Sequence, residues 1–263
     1  MPNMQPTNDD RTIALCVSDV HWSHSPPPAF GRDEWYPHMR TTLARLHEVW
    51  ESHHRPIILM AGDLFHRWNE PVGLGSFIAE TINDFFGAED GPLFYTITGQ
   101  HDLPYHNANL VERSAYHGLH QMVPTMKAVG CGGAYHHPSA RNAADGCFVF
   151  GYGWGADVDE RGLSSRLDRL SPSGSGPTTP AGVCTIAMRH QFAYNGPDTG
   201  YVGVENHADA AFNHGLSGFD FTHYGDNHIR WKSQNVLNPG TFMIRNRDDL
   251  GKVAGPMAIT QSG

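Results

Sequence analysis

The chain has 263 residues, 39% of them hydrophobic, which is enough to bury one substantial core. Its formal net charge is −9, from 18 Lys and Arg against 27 Asp and Glu, and this balance argues against a broad basic surface that wraps duplex DNA. No stretch approaches the roughly 20 consecutive apolar residues that a membrane-spanning helix needs, and the start is too polar for a secretory signal. We therefore expect one soluble domain over residues 1–263, with residues 1–11 as a flexible tail and no membrane partner.

The four cysteines are scattered and form no C-x-x-C pair. Cys16, Cys147 and Cys184 fall inside apolar runs, where a thiol behaves as a small buried hydrophobe rather than a zinc ligand or half of a disulfide. This pattern is typical of a reducing compartment, and we expect the protein to be cytoplasmic.

The first part of the chain alternates apolar runs with amphipathic segments. Ile13–Val17, Ile57–Met60 and Leu93–Ile97 predict buried strands, whereas helical periodicity predicts helices over Glu34–Ser52 and Gly73–Phe86. Strands that alternate with helices pair in parallel, so we expect a parallel sheet with helices packed on one face.

The second part of the chain is richer in predicted strands. One short helix is predicted over Asp157–Leu170, and residues 171–182 read as a flexible surface loop, with a flap over a nearby site as the alternative. Strands are predicted at Cys147–Phe150, Val183–Met188, Phe219–Tyr224, Asn235–Leu237 and Val253–Ile259. Strands without long helices between them indicate a second sheet, and hence an α/β sandwich.

Polar motifs follow each of the first three predicted strands. They are Asp19-Val20-His21, Gly62-Asp63-Leu64-Phe65-His66 and Gly99-Gln100-His101-Asp102. Strand ends followed by loops are where a rigid sheet aims polar side chains into one cleft. Mixed carboxylate, imidazole and amide ligands suit divalent ions such as Mn²⁺, Fe²⁺ or Zn²⁺, which favour phosphoester chemistry. These motifs predict a metal site.

Two further motifs follow later strands, the isolated His190 and Gly225-Asp226-Asn227-His228. In order, the five motifs resemble those of the calcineurin-like metallophosphoesterase superfamily, whose pattern is D-x-H, G-D, G-N-H-D, H and G-H-x-H. The segment from Gly62 to His66 and the turn Asn238-Pro239-Gly240-Thr241 are most similar to the SbcD-type DNA-repair exonuclease branch.

The resemblance implies a four-layer αββα sandwich of two mixed sheets flanked by helices, with a dinuclear metal centre. By this resemblance the first divalent ion is held by Asp19, His21, Asp63 and His228, and the second by the bridging Asp63 with Gln100, His190 and Asp226. Mn²⁺ is the favoured ion, with Fe, Zn or Mg²⁺ as alternatives. The resemblance also places His101 over the phosphate, where it stabilises the transition state or protonates the leaving alkoxide, with Asp102 orienting it.

Two residues depart from the family pattern, and both are ligands that the resemblance implies for the second ion. Gln100 replaces an asparagine and Asp226 replaces a histidine. Either the centre is a working variant with altered metal preference, or the second site is weakened and the protein binds one ion. Because an amide oxygen and a carboxylate both remain competent ligands, we favour the working variant.

The sequence thus predicts a metal-dependent hydrolase of phosphoesters, and among these a phosphodiesterase of nuclease-like character acting on DNA or a nucleotide. A stand-alone phosphatase or a small-molecule phosphodiesterase is the alternative within the class. A non-catalytic, metal-bound scaffold that binds a phosphorylated ligand or a protein partner is the alternative from another class. The His101–Asp102 pair counts against a scaffold, which has no need of a leaving-group acid.

Overall fold

The described part of the chain folds into β-sheets covered on one side by helices. The structure is a computed structural model that describes residues 10–87, 94–130, 134–137, 146–156, 183–194, 211–212, 219–243 and 255–262. Its helices are α1 (Arg32–Ser52), α2 (Val72–Phe86) and α3 (Ala115–Met122), and 3₁₀ turns span Pro104–His106 and Ala108–Arg113. Its strands are β1 (Asp10–Val17), β2 (Ile57–Ala61), β3 (Phe94–Ile97), β4 (Met126–Ala128), β5 (Ala134–His137), β6 (Cys147–Tyr152), β7 (Cys184–His190), β8 (Ala193–Tyr194), β9 (Ala211–Phe212), β10 (Phe221–Gly225), β11 (Trp231–Ser233), β12 (Val236–Asn238) and β13 (Met257–Ser262).

The first sheet has the strand order β13-β1-β2-β3-β4, in which β1 to β4 run parallel and β13 pairs antiparallel with β1. One of its faces packs against the helices, in a core that includes Leu15 and Ile58 from the sheet and Ile78 from α2. The predicted inward face of α1 is buried in this core, as helical spacing requires: Trp35, Met39, Leu43, Leu46 and Trp50.

The second sheet has the strand order β11-β12-β10-β7-β6-β5, with parallel pairing from β12 to β6 and antiparallel edge strands. Alternate residues of the two sheets, such as Cys16 and Leu59 against Ile186 and Met188, form a second core between them. The predicted α/β fold of two mixed sheets with flanking helices is therefore confirmed. The predicted helix over Asp157–Leu170 and the predicted loop over residues 171–182 lie outside the described residues.

The predicted start of the first strand is wrong. Asp10 and Arg11 were predicted in the tail, yet they belong to β1, where they pair with Ser262 and Gln261 of β13. Apolar runs mark only the buried part of a strand, whereas pairing with a neighbour extends it into polar sequence. The helix α3 was not predicted, because it is only eight residues long and has few apolar residues; Ser114 caps it by accepting from His117 N at 3.2 Å.

Two further observations concern the cysteines and the helices of the described chain. Cys16, Cys147 and Cys184 are buried free thiols, and burial raises the pKa of Cys16 far above its ordinary value. Among the helices that the structure describes, none is long and apolar enough to cross a bilayer.

Candidate metal centre

The carboxyl ends of β1, β2, β3, β7 and β10 meet at one edge of the paired sheets, and each strand ends in a predicted site residue or is followed by one. Four of these residues have left-handed backbone conformations, with φ of 52° at Asp19, 52° at His21, 50° at Asp63 and 85° at Asp226. Non-glycine residues adopt such φ values rarely and at an energetic cost, so the chain turns sharply here to direct side chains inward.

Glycines let the two sheets approach closely at this edge. A Cβ at Gly225 would overlap the carbonyl oxygen of Ala61, and a Cβ at Gly99 would overlap the side chain of Asp63. The Nδ1 atom of His190 donates to that same Ala61 carbonyl over 2.7 Å, which leaves its Nε2 directed into the site. The glycines of the motifs therefore bring residues of both sheets within reach of one ligand.

The residues predicted for the first ion form one cluster. Potential ligand atoms of Asp19, His21 and His228 all lie within 4.8 Å of one another. His228 Nε2 lies 3.7 Å from Asp19 Oδ1 and 3.2 Å from His21 Nε2. Asp19 is fully buried and accepts from the backbone N–H of Asp226 at 3.1 Å, and burial raises its pKa to about 6 although His190 and His228 oppose the shift.

Asp63 lies at the centre of the site. Its Oδ1 accepts from His101 N at 2.9 Å, whereas its buried Oδ2 accepts no hydrogen bond from any described residue. Three imidazole Nε2 atoms surround that Oδ2, those of His190 at 3.5 Å, His21 at 3.9 Å and His101 at 4.0 Å. Burial alone raises the pKa of this carboxyl, yet His190, with His21 and His101, holds it well below its ordinary value. A buried, ionised oxygen without a hydrogen bond fits a carboxylate that bridges two cations.

The residues predicted for the second ion also lie together, but they bond to one another. Gln100 Oε1 lies 2.7 Å from His190 Nε2, and Gln100 Nε2 donates to Asp226 Oδ1 over 2.8 Å. Burial lowers the pKa of His190, but Asp63, Asp19 and Asp226 raise it to about 10 overall. The two ring nitrogens of His190 thus face two acceptor oxygens, the Ala61 carbonyl and Gln100 Oε1.

These donors fit divalent metal ions. Three carboxylates, three imidazoles and one amide oxygen converge from five strand ends, and the described residues include the clusters Asp19–His21–His228 and Asp19–Asp63–His190. Such a mixed oxygen and nitrogen set suits ions of the Mn²⁺, Fe²⁺ or Zn²⁺ type. The seven predicted ligands are thus brought together by the fold, including the two that depart from the family pattern.

The structure corrects the role predicted for Asp102. Its buried carboxylate accepts from the backbone N–H groups of Gly99 at 2.9 Å, Phe65 at 3.0 Å and Leu64 at 3.3 Å, and it does not contact the ring of His101. That ring is oriented by the carbonyl of His66, 2.9 Å from His101 Nδ1. The carbonyl of His66 is far from His101 in the sequence, so sequence patterns cannot reveal this contact, and the adjacent Asp102 is the wrong assignment for the orienting group. Asp102 is a positioning residue, and burial raises its pKa to about 7.

The site opens into a cleft of about 740 Å³. Its floor is formed by His21, Asp63, Gln100, His101, Asp226 and His228, and its walls include Pro26, Pro27, Pro28, Arg67, Glu70 and Phe192. His24 N donates to Glu70 Oε2 over 2.9 Å and thereby joins the loops after β1 and β2 into one wall.

His66 is a functional candidate that the sequence analysis did not assign. It lines the cleft, and its ring stacks on that of His101 at 5.5 Å with an interplanar angle of 15°. Potential ligand atoms of His21, His66 and His101 also lie within 4.8 Å of one another. The signal was present, because His66 closes the motif that begins at Gly62.

A second unassigned element supports the site from behind. The turn Asn238-Pro239-Gly240-Thr241 reaches back to the end of β1: Thr241 Oγ1 donates to the Asp19 carbonyl over 3.2 Å, and Asn238 Nδ2 donates to the Asn227 carbonyl over 2.6 Å. This turn therefore holds the Asp19 loop and the loop between Asp226 and His228 against each other.

Comparison with protein families identifies the class. The family model described as calcineurin-like phosphoesterase matches residues 14–207, about three quarters of the chain. The chain therefore belongs to the calcineurin-like phosphoesterase family. The motif that carries Asp226 and His228 lies beyond the matched residues, yet the fold brings it to the same site.

Comparison with individual proteins adds support for the fold. A sequence search of curated proteins found no significant match. Among solved structures, the chain is similar to a Staphylococcus aureus protein described as a "Putative 5'-Nucleotidase" in complex with alpha-ketoglutarate, with a TM-score of 0.52 and 12% sequence identity. The match covers 87% of this chain and 48% of that one, so the chain spans about half the length of that protein.

Proposed function

We propose that this chain is a phosphodiesterase with a dinuclear metal centre, in which Asp63 bridges two divalent ions. The observation that carries the proposal is the buried Oδ2 of Asp63, which lacks a hydrogen bond and faces three imidazole nitrogens. Asp19, His21 and His228 would complete the site of one ion, and Gln100, His190 and Asp226 that of the other. Bound there, the ions would supply Lewis-acid activation of water and of the phosphoryl oxygens.

Mn²⁺ is the ion that this donor set favours. The second site offers a carboxylate and an amide oxygen beside a single unshared imidazole, and oxygen-rich sites suit Mn²⁺ and Mg²⁺ better than Zn²⁺. Asp226 places an anionic oxygen where the family pattern has a neutral ring, which strengthens this preference.

The charges of the cleft favour a diester over a monoester. Among its described lining residues, Arg67 is the one Lys or Arg, and the carboxylates of Glu70 and Asp226 lie in the same lining. The metal ions would meet the phosphoryl group of either ester, so the second negative charge that a phosphomonoester carries at neutral pH would have only Arg67 to pair with, whereas a diester carries one charge. A cleft with this balance accommodates the diester at the lower electrostatic cost.

In this proposal His101 protonates the leaving group. The Nδ1 atom of His101 donates a hydrogen bond to the His66 carbonyl, so the Nε2 atom faces the cleft. The His101 side chain is 41% exposed. A group at the mouth of the site, near the shared carboxylate but outside both predicted ligand sets, can reach the departing oxygen of a bound ester. His66, stacked against it, holds the ring in this orientation.

The test compares two esters with the same leaving group, bis-p-nitrophenyl phosphate and p-nitrophenyl phosphate. We expect the Mn²⁺-loaded protein to have a kcat/KM for the diester at least about tenfold above that for the monoester. The opposite preference would identify a phosphatase. No hydrolysis of either ester by protein that holds two Mn²⁺ ions per chain would favour the non-catalytic scaffold instead.

A further inference from the structure

Beside the metal centre, Tyr105 stands out as an exposed aromatic residue. Its side chain is 80% exposed, the highest exposed fraction of any large hydrophobic residue that the structure describes. Tyr105 and the next residue, His106, both have left-handed backbone conformations, with φ of 52° and 58°. Hydrogen bonds from His106 N to the Leu103 carbonyl at 3.1 Å and from Asn107 N to the Pro104 carbonyl at 3.0 Å hold the turn. An ordered turn thus presents a large apolar ring to solvent against both steric and hydrophobic preference.

The ring of Tyr105 has an aromatic neighbour on another loop. Its centroid lies 5.7 Å from that of the half-buried Trp68, with an interplanar angle of 47°. Trp68 is itself anchored, because its carbonyl accepts from Ala115 N at 2.7 Å. We call the pair Trp68 and Tyr105 the aromatic pair.

The aromatic pair lies next to the candidate metal centre. Trp68 follows His66 by two residues and Tyr105 follows His101 by four, and the rings of His66 and His101 stack on each other. Two loops therefore leave the site side by side and are in contact at both places. Two residues span at most about 7 Å between Cα atoms, so Trp68 lies within that distance of His66, just outside the residues that line the cleft.

Polar groups flank the aromatic pair on the side of the cleft. Arg67 and Asn69, the neighbours of Trp68 in the chain, are both exposed and both line the cleft. An arginine can contact a phosphate, and an asparagine can contact the edge of a base.

We propose that the aromatic pair is a stacking surface for the base adjacent to the scissile phosphate, so that the substrate is a nucleotide diester or the end of a single strand of nucleic acid. Bases stack on aromatic side chains without regard to sequence, and Arg67, the one Lys or Arg of the described cleft lining, could pair with one phosphate. The inference rests on the proposed phosphodiesterase function and names the class of its substrate.

The experiment uses two chromogenic diesters that differ only in the group that is retained. They are thymidine 5′-(p-nitrophenyl) phosphate and methyl p-nitrophenyl phosphate, and the readout is the ratio of their kcat/KM values with the Mn²⁺-loaded protein. We expect the wild type to favour the thymidine ester, Tyr105→Leu to lower that ratio about tenfold, and Tyr105→Phe to keep it. Tyr135→Leu, at an exposed tyrosine on β5, the edge strand of the second sheet, is the matched control and should leave the ratio unchanged. An unchanged ratio in Tyr105→Leu would overturn the proposal.

A binding measurement separates this inference from the proposed function. If neither ester is hydrolysed, the phosphodiesterase function fails, and fluorescence anisotropy of a labelled short oligothymidylate then tests the aromatic pair without turnover. We expect Tyr105→Leu and Trp68→Leu each to weaken that binding about tenfold, and Tyr105→Phe to bind as the wild type does. Equal affinity in the wild type and both leucine variants would show that no base stacks there.

Discussion

The two halves of the candidate metal centre differ in how their predicted ligands contact one another. In the half formed by Asp19, His21 and His228, ligand atoms face one another across 3.2–3.7 Å and no side-chain amide lies between them. In the other half, Gln100 bonds to both His190 and Asp226, so the ligands satisfy one another. Both departures from the family pattern lie in this second half.

The difference implies that the two ions bind with unequal affinity. An ion entering the first half replaces one hydrogen bond between the rings of His21 and His228. An ion entering the second half must displace a proton from His190, whose pKa is raised to about 10, and must separate Gln100 from Asp226. We therefore expect the first site to fill before the second.

The largest effect should come from the residue that both halves share. Asp63→Asn removes the bridging charge, and we expect hydrolysis of bis-p-nitrophenyl phosphate to fall by roughly a thousandfold or more. Elemental analysis should at the same time find fewer than two Mn²⁺ ions per chain. Asp84→Asn, which removes an exposed carboxylate paired with Arg40 on the far side of the helices, is the control and should match the wild type. Full activity in Asp63→Asn would contradict the dinuclear centre.

The next effect tests the group that belongs to neither half. His101→Gln should lower kcat by about 10²–10⁴-fold for an ester with an alkyl leaving group and by much less for a p-nitrophenyl ester, whose leaving group needs little protonation. Metal content should not change, since His101 is not a predicted ligand. An equal loss with both esters would mean that His101 acts on something other than the leaving group.

The comparison of affinities can be sharpened by restoring the family residue. We expect Mn²⁺ titrations followed by electron paramagnetic resonance to resolve two binding events in the wild type, with dissociation constants at least about tenfold apart. The affinity of the weaker site should fall as pH drops. Asp226→His removes the carboxylate that holds Gln100 and should bring the two events closer together. Two equal, tight events in the wild type would show that the bonds within the second half cost nothing.

The smallest effect concerns the stability of the fold at acid pH, away from the metal centre, and comes from His120. His120, between α3 and β3, bonds to the Tyr116 carbonyl at 2.7 Å and to Thr96 Oγ1 at 2.8 Å, and burial lowers its pKa to about 4, against the smaller opposing effect of the Tyr116 bond. A histidine kept neutral in the folded state stabilises it above the unfolded pKa near 6.5, and this contribution, at most about 3 kcal/mol, is lost as pH falls towards 4. The melting temperature of the metal-free protein should therefore drop less between pH 7 and pH 4.5 in His120→Gln than in the wild type. Parallel curves would contradict this assignment.

Much of the fold and site could be predicted from sequence, for identifiable reasons. The strands before Asp63 and Gln100 are fully buried, so their apolar runs predict them clearly, and parallel strands bring their ends to one edge. What could not be predicted depends on contacts between distant segments. Three contacts join residues that no local pattern relates. They are the pairing of Asp10 with Ser262, the hydrogen bonds from the backbone of Leu64 and Phe65 to Asp102, and the stacking of His66 on His101.

The carboxylate of Asp102 has a consequence for how this centre could be transplanted or altered. This carboxylate accepts hydrogen bonds from Leu64 and Phe65 on one side and from Gly99 on the other. It therefore holds the loops after β2 and β3 in a fixed position relative to each other. A change in the length of either loop within 63–65 or 99–102 would have to be matched in the other, whereas insertions beyond Tyr105 would leave the fastening intact. Whoever grafts this chemistry onto another scaffold must move both loops together.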